Sequence, residues 1–244
     1  LVDRVIAQRR AASSDDGDLL AALVRVGGLS DAEIRDHAVT LLLAGHETTA
    51  NALAFGLHLL AQDPGAERTL HAEVDDVLGN AAPTPDDAGR LPFCRAVISE
   101  ALRLYPPSWA MGRQAREEHP VPSGSVLPGD LVVLPQWVVH RDPRWWPDAE
   151  RFRPDRWLER GRGDRPRWAY FPFGAGLRRC IGEGFAWTEA TLALATIAGR
   201  WRMRPVPDRP VRLDPLITLR PRDGVWLRPE PRVPRTGPPG YPAV

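Results

Sequence analysis

The sequence predicts a mainly α-helical fold with small β-sheets, and three observations support this prediction. Residues 31–62 contain no proline and would form one helix of about 32 residues, roughly 48 Å long. The first half of the chain shows helical periodicity, whereas the second half has many prolines and only short strand-like stretches. With 43% hydrophobic residues in a chain of 244, a sizeable core can also be buried.

Each element is predicted from its own start and stop signals. An amphipathic helical pattern covers residues 1–10. The long helix begins after a capping box formed by Ser30 and Glu33, and Pro64 ends it. Further helices are expected at residues 66–78, 93–104 and 182–201, the best strand candidate is 129–139, and residues 231–244 are expected to form a Pro/Gly-rich tail.

The distribution of charge argues against a nucleic-acid partner. Residues 1–100 carry 8 Arg and 16 acidic residues, whereas residues 101–244 carry 24 Arg and 15 acidic residues. The arginines of the basic half alternate with acids and prolines, as in residues 141–157, and form no continuous basic run. We therefore expect no nucleic acid among the partners.

The compartment is predicted from cysteine usage and hydropathy. Two cysteines are too few for a disulfide scaffold, and the first residues show no secretory signal pattern, so a reducing, cytoplasmic setting is expected. The most apolar stretch, 38–60, contains His46, Glu47, Asn51 and His58, which a bilayer would penalise. We therefore expect a buried helix there and no membrane span.

A first candidate site lies in the middle of the long helix, in the stretch AGHETT at residues 44–49. Ala44 and Gly45 leave one helix face bare, and Glu47 and Thr48 add an acid and a hydroxyl one turn onward. A glycine inside a helix costs about 1 kcal/mol relative to alanine, so it needs a reason. Either a flat ligand lies against the bare face, or the helix crosses a neighbour with the Thr48 hydroxyl bonded to its own backbone.

A second candidate is the acid–base pair Glu100 and Arg103. Such an i,i+3 pair usually lies on a solvated helix face and contributes only tenths of a kcal/mol. Here the neighbouring residues are apolar, so the pair is predicted to be interior and to need a third partner. The Arg-rich segment 152–157 could provide it.

The two cysteines are predicted to differ. Cys94 lies on an apolar helix face and is expected to be a buried, inert thiol. Cys180 follows two glycines and two arginines and precedes a helix whose N-terminus would favour a thiolate. One thiolate does not make a zinc or iron–sulfur site, and the nearest histidine for a Cys–His pair is His140, forty residues away. What remains is haem with one axial thiolate.

Four motifs together resemble the cytochrome P-450 superfamily, of bacterial and actinobacterial type. FGAGLRRCIG matches the haem-thiolate signature F-x-x-G-x-R-x-C-x-G, and AGHETT matches the oxygen-activating motif of the long central helix. EALR matches E-x-x-R, and FRPDRW matches the segment that completes it. The resemblance covers residues 19–227 and implies the C-terminal part of this fold, with the long helix over the haem. Residues 1–230 are expected to be the C-terminal portion of a haem-thiolate monooxygenase domain.

The resemblance implies a cofactor site for noncovalent haem b. Cys180 would be the proximal iron ligand, and Arg113 and Arg178 would pair with the propionates. Phe173 would pack beside the sulfur. The loop glycines would let backbone N–H groups approach the sulfur. The resemblance thus implies these cofactor-binding residues: Arg113, Phe173, Gly174, Arg178, Cys180 and Gly182.

The same resemblance implies the reaction. Glu47 and Thr48 would be the catalytic residues, passing protons to dioxygen bound on the distal side, while Arg156 would complete a structural triad with Glu100 and Arg103. One oxygen atom would enter an apolar small-molecule substrate. Its pocket is expected to be lined by residues 40–48, 107–111 and 216–218.

The chain shows no nucleotide- or flavin-binding pattern, so electrons would come from ferredoxin with ferredoxin reductase or a similar donor. The basic segment 159–168, together with Arg178 and Arg179 of the cysteine loop, is the expected docking surface. Two alternatives remain open: a peroxide-driven or isomerising haem-thiolate protein, which would not need Thr48, and a truncated noncatalytic paralogue.

Overall fold

The structure is a computed structural model, and it describes residues 2–11, 17–25, 27–158 and 165–232. The chain divides into two compact units, Leu1–Glu47 and Thr48–Val244. The helices are α1 (Val2–Ala11), α2 (Leu19–Arg25), α3 (Asp31–Gln62), α4 (Pro64–Leu78), α5 (Pro92–Leu104), α6 (Gln136–Val139) and α7 (Glu183–Arg200). The strands are β1 (Met111–Gln114), β2 (His119–Val121), β3 (Gly124–Val126), β4 (Leu131–Leu134), β5 (Trp201–Pro205), β6 (Leu213–Pro215), β7 (Leu219–Pro221) and β8 (Leu227–Pro231). The mainly helical prediction is confirmed.

The first unit contains α1, α2 and the first half of α3. Its buried apolar side chains are Ile6, Ala21 and Ile34. The predicted capping box at the start of α3 is confirmed: the Ser30 N–H donates to Glu33 Oε2 at 2.8 Å, and the Glu33 N–H donates to Ser30 Oγ at 3.3 Å. The long helix therefore begins where the sequence places it.

The second unit has one main hydrophobic core, formed by α4, α5, α7 and the second half of α3. Leu70, Val74, Val97, Ile98 and Leu194 are among its fully buried members. Helix α4 begins two residues before its predicted start. Proline is tolerated in a first turn, and the Asp63 carboxylate accepts hydrogen bonds from two backbone N–H groups there, at 2.9 Å each.

Four antiparallel strand pairs are present in the described ranges: β1–β4, β2–β3, β5–β8 and β6–β7. The predicted strand over 129–139 is confirmed for residues 131–134, which form β4. The prediction is wrong for its last residues, because Gln136–Val139 forms the short helix α6. Pro135 causes the change, because it has no N–H for a ladder and its carbonyl accepts from Val138 and Val139 at 3.0 Å.

The last elements differ slightly from their predicted bounds. Helix α7 covers Glu183–Arg200, because Gly182 serves as its N-cap and Trp201 is already extended. Pro231 ends β8, and Arg232 forms a buried ion pair with Asp75 at 2.6 Å, so these two residues belong to the fold. The rest of the predicted tail, 233–244, lies outside the described residues.

A buried ionic cluster joins α5 to the irregular segment 140–157. The Glu100 carboxylate accepts from Arg103 Nε at 2.9 Å and Nη2 at 2.8 Å, and from Arg156 Nε at 3.1 Å. The backbone N–H of Arg153 at 3.0 Å and the indole N–H of Trp157 at 2.9 Å complete its partners. The prediction that the pair is interior and that Arg156 completes it is confirmed.

None of the helices in the described part of the chain combines the length and hydropathy that a membrane crossing requires.

Candidate functional site

The loop that carries Cys180 is fixed by its own backbone hydrogen bonds. The Gly174 N–H donates to the Phe171 carbonyl at 2.9 Å, and the Cys180 N–H donates to the Phe173 carbonyl at 2.9 Å. Between these two bonds the chain makes a short 3₁₀ turn, Gly176–Arg178. The thiol is therefore presented by a closed loop immediately before α7.

Two glycines are required by the shape of this loop. Gly174 and Gly176 have φ angles of 71° and 66°, in the left-handed region that favours glycine. A Cβ at Gly174 would also lie 3.1 Å from the Met111 Sδ, so the loop approaches β1 closely. Gly182 differs, because a Cβ there would lie 3.9 Å from the Cys180 Sγ, which is an ordinary contact.

The Cys180 thiol is exposed and has large exposed apolar residues near it in sequence. Leu177, Ile181 and Phe185 have relative exposures of 105%, 93% and 71%. Such a concentration of exposed apolar surface is unusual unless something covers it. A soft single sulfur donor among apolar side chains fits a flat apolar cofactor with one axial thiolate, so these residues fit haem.

Phe173 packs against a residue that sequence reasoning missed. Its ring lies 5.3 Å from that of Trp187 on α7 in a tilted arrangement, and the Arg95 guanidinium lies 4.1 Å from the centre of the Trp187 ring. Trp187 and Glu183 are four residues apart on α7, and the indole N–H donates to the Glu183 carboxylate at 3.4 Å. Phe173 thus packs against Trp187 through its ring and accepts the Cys180 N–H at its carbonyl.

The two predicted propionate partners are both exposed arginines. Arg178 ends the 3₁₀ turn two residues before Cys180, and Arg113 lies on β1, paired with Val132 of β4. The Arg113 Nη1 donates to the Gly112 carbonyl at 2.8 Å. The close approach of Met111 to Gly174 brings β1 near the thiol loop.

Glu47 and Thr48 lie in the middle of α3, with Glu47 exposed and Thr48 half-buried. Glu47 ends the first unit and Thr48 begins the second. A Cβ at Gly45 would meet no atom of the described residues within 4 Å. Close helix packing therefore does not explain this glycine, which favours the interpretation of an open face.

Cys94 behaves as predicted. Its side chain is fully buried, and burial together with the nearby Glu73 carboxylate raises the pKa of its thiol. The same carboxylate caps α5, accepting from the Phe93 N–H at 2.6 Å and the Cys94 N–H at 2.8 Å. Sequence reasoning missed this cap, because its acid comes from α4.

His140, another residue whose role sequence reasoning missed, supports the start of the thiol loop. Its side chain is fully buried, and its Nε2 accepts from the Phe171 N–H at 2.9 Å. Burial, with a smaller contribution from the positive charges of Arg103 and Arg141, lowers the pKa of His140 to about 3. The imidazole is therefore neutral near pH 7.

The described residues bring no three His, Cys, Asp or Glu side chains together in a way that could hold a metal ion.

A family model described as cytochrome P450 matches residues 1–228. The chain is 46% identical to cyclooctatin synthase of Streptomyces melanosporofaciens, over 95% of this chain and 52% of that protein. It is 45% identical to cyclooctat-9-en-7-ol 5-monooxygenase of the same organism, over 85% and 46%, and 39% identical to pentalenene oxygenase of Streptomyces avermitilis, over 89% and 50%.

A solved structure gives the same result for the fold. The crystal structure of a cytochrome P450 superimposes with a TM-score of 0.83 and 34% sequence identity, over 95% of this chain and 54% of that one. The chain thus spans about half the length of the curated relatives it matches.

Proposed function

Because the chain belongs to the cytochrome P450 family, we propose that it forms the thiolate-bearing part of a haem monooxygenase, with Cys180 as the iron ligand. The family implies a haem-thiolate cofactor in general. The observation that supports Cys180 is its exposed thiol, carried on a hydrogen-bonded loop next to the exposed side chains of Leu177, Ile181 and Phe185. A carbon monoxide difference spectrum of the reduced, haem-loaded protein tests this, since thiolate-ligated haem has its own Soret band.

The cofactor contacts follow from the residues that surround the thiol. Cys180 Sγ would bind the iron, and Arg178 and Arg113 would pair with the carboxylates of haem b. When bound, the haem iron supplies the activation of dioxygen, and an axial thiolate favours O–O cleavage. The Phe173 carbonyl accepts the Cys180 N–H and so helps to fix the backbone from which the sulfur projects.

Glu47 and Thr48 are proposed to move protons on the distal side. The Thr48 Oγ1 can accept a hydrogen bond from water and donate one onward, and the Glu47 carboxylate can exchange protons with solvent because it is exposed. The open face at Gly45 leaves room beside them. Their position in the middle of the long helix, in the stretch that matches the oxygen-activating motif, supports the assignment.

Replacing Thr48 by alanine is expected to leave haem binding unchanged and to uncouple the reaction. The yield of product per NAD(P)H consumed should fall about tenfold or more, because a positioned proton donor is lost. Thr196→Ala is the matched control, since its hydroxyl only bonds to the Leu192 carbonyl on the exposed face of α7, at 2.7 Å. Equal coupling in Thr48→Ala and wild type would remove Thr48 from the relay.

The substrate is proposed to be an apolar, hydrocarbon-rich small molecule. Two of the predicted wall segments lie together: the Trp109 indole N–H donates to the Leu216 carbonyl at 2.9 Å, and the Leu219 N–H donates to the Pro107 carbonyl at 2.8 Å. Ile217, at the tip of this hairpin, is 99% exposed. Relatives named for an alkenol and for an alkene, cyclooctat-9-en-7-ol and pentalenene, support the same substrate class.

The electron donor is proposed to be an acidic protein such as ferredoxin, with its reductase. Arg178 and Arg179 lie on the thiol loop, and the exposed Arg95 stacks on Trp187 beside it. Arg179 is partly neutralised by Glu183 at 2.6 Å. Of the predicted basic segment, residues 159–164 lie outside the described residues, whereas Arg165 stacks on Trp146 at 4.5 Å.

If the arginines of the basic segment steer the donor, the rate of reduction by ferredoxin should fall as ionic strength rises. Salt screens the attraction between the charges over about 8 Å at physiological ionic strength. Replacing Arg162 and Arg165 by glutamate should flatten that dependence. Arg228→Glu, at an exposed arginine of β8 that lies 3.5 Å from Glu230, is the control for a charge reversal outside the basic segment. A reduction rate of the unmutated protein that does not change with salt would contradict the steering role.

Both cysteines are thiols rather than a disulfide. Two cysteines are too few for a disulfide scaffold, and on this basis we propose the cytoplasm.

A further inference from the structure

His140 links the buried ionic cluster to the thiol loop through two different groups. Its backbone carbonyl accepts from Arg103 Nη1 at 3.0 Å, and its side-chain Nε2 accepts from the Phe171 N–H at 2.9 Å. Arg103 is itself held by Glu100 through two hydrogen bonds. The backbone of His140 is thus fixed by the cluster, and its imidazole holds the first residue of the loop.

From Phe171 the hydrogen bonds continue to the cysteine. The Phe171 carbonyl accepts the Gly174 N–H, and the Phe173 carbonyl accepts the Cys180 N–H, each at 2.9 Å. Phe171 is therefore held at its N–H by His140 and at its carbonyl by the loop. A shift of Phe171 would be transmitted over these few residues to the thiol.

The imidazole is held in one orientation by its neighbours. Its ring lies 5.0 Å from the Tyr170 ring and edge-on to the Phe171 ring at 5.3 Å. Nε2 accepts a hydrogen bond, so it carries no proton, and the ring is neutral with its proton on Nδ1. The Tyr170 hydroxyl donates to the Ser99 carbonyl at 3.0 Å, which anchors the adjacent residue to α5.

We propose that His140 is a positioning residue for the thiolate, which sets the conformation of the Phe171–Cys180 loop by accepting the Phe171 N–H at its unprotonated Nε2. The proposal rests on the proposed function, because it assigns His140 a role toward the thiol that would bind the iron. His140 acts through Phe171 and Phe173 and touches neither the thiol nor a ligand.

Three substitutions of His140 distinguish the effect of its hydrogen-bond acceptor from the effect of its side-chain volume. His140→Gln keeps an acceptor at about the reach of Nε2, whereas His140→Leu fills similar space without one. His140→Asn is a second acceptor-removing variant, since its shorter amide stops short of Phe171, and it is used if the leucine variant does not fold. Helical content, measured by circular dichroism, shows which variants fold.

The first measurement is amide hydrogen exchange without haem. The amides of Phe171, Gly174 and Cys180 should exchange about tenfold faster in His140→Leu, the effect of losing one hydrogen bond that holds the loop, and close to the wild-type rate in His140→Gln. The second is the reduced carbon monoxide spectrum with haem bound. The thiolate-ligated fraction should drop in His140→Leu and be restored in His140→Gln.

Unchanged exchange and an unchanged thiolate-ligated fraction in the variants without an acceptor would overturn the proposal. Equal losses in the glutamine and leucine variants would also overturn it, because the shape of the histidine and not its acceptor would then matter. A wild-type protein that binds haem without the thiolate band would instead contradict the proposed function, and the exchange rates would still decide the role of His140.

Discussion

Replacing Cys180 by serine is expected to abolish thiolate ligation, so that the reduced carbon monoxide spectrum loses the thiolate Soret band entirely. A serine hydroxyl is a much weaker acid than a thiol and does not replace a soft thiolate on iron. The closed loop and its two left-handed glycines should remain, since serine at this position has the same backbone bond to the Phe173 carbonyl. The effect is therefore on the ligand and not on the fold.

The matched control is the other cysteine. Cys94→Ser should keep the thiolate band, although it places a hydroxyl in a fully buried position and should lower stability by about 1–3 kcal/mol. The spectra of the two variants, recorded at a temperature where both are folded, decide which cysteine provides the thiolate ligand. If Cys94→Ser lost the band and Cys180→Ser kept it, the assignment of the iron ligand would be wrong.

Replacing Glu100 by glutamine is expected to be the most destabilising of these changes, by about 3–5 kcal/mol, because it leaves buried guanidinium groups without their counter-charge. Glu100, Arg103 and Arg156 are buried, and five donors converge on the one carboxylate: two from Arg103, one from Arg156, the Arg153 N–H and the Trp157 indole. An amide cannot accept all of them, and its own N–H groups would face arginine.

Urea unfolding followed by circular dichroism measures this loss. The control is Asp223→Asn, which weakens an exposed pair in which Arg212 Nε and Nη2 both donate to one Asp223 oxygen, at 2.9 Å and 2.7 Å. Solvent screens that pair, so the control should cost less than about 1 kcal/mol. A loss from Glu100→Gln no larger than that of the control would show that burial of the cluster does not govern its energetics.

Features encoded in short contiguous stretches could be predicted. The capping box of Ser30 and Glu33 predicted the start of α3, and the glycines before Cys180 predicted a loop instead of a core position. Each depends on residues within a few positions of one another, so their geometry is largely local. The left-handed angles of Gly174 and Gly176 were found in the structure. The roles of Glu47, Thr48, Arg113 and Arg178 stay predictions, because the structure shows where these residues lie and not what they bind.

The ionic cluster was an intermediate case. The apolar residues around Glu100 and Arg103 predicted an interior pair that needed a partner, and Arg156 was identified from its motif. The tertiary structure decided the other partners of the cluster. Backbone carbonyls of His140, Ala149 and Arg151 accept from Arg103, and no local pattern reveals which carbonyls a folded segment will turn inward.

The sequence by itself determined the helical class, the long helix, the contrast between the two cysteines and the family resemblance. Only the tertiary structure decided that Glu73 caps α5, that Trp187 packs against Phe173, and that His140 accepts from Phe171. All three are contacts between side chains and partners that lie far apart along the chain or on different elements. Such contacts are fixed by the packing of whole helices and loops, and residue spacing carries no information about them.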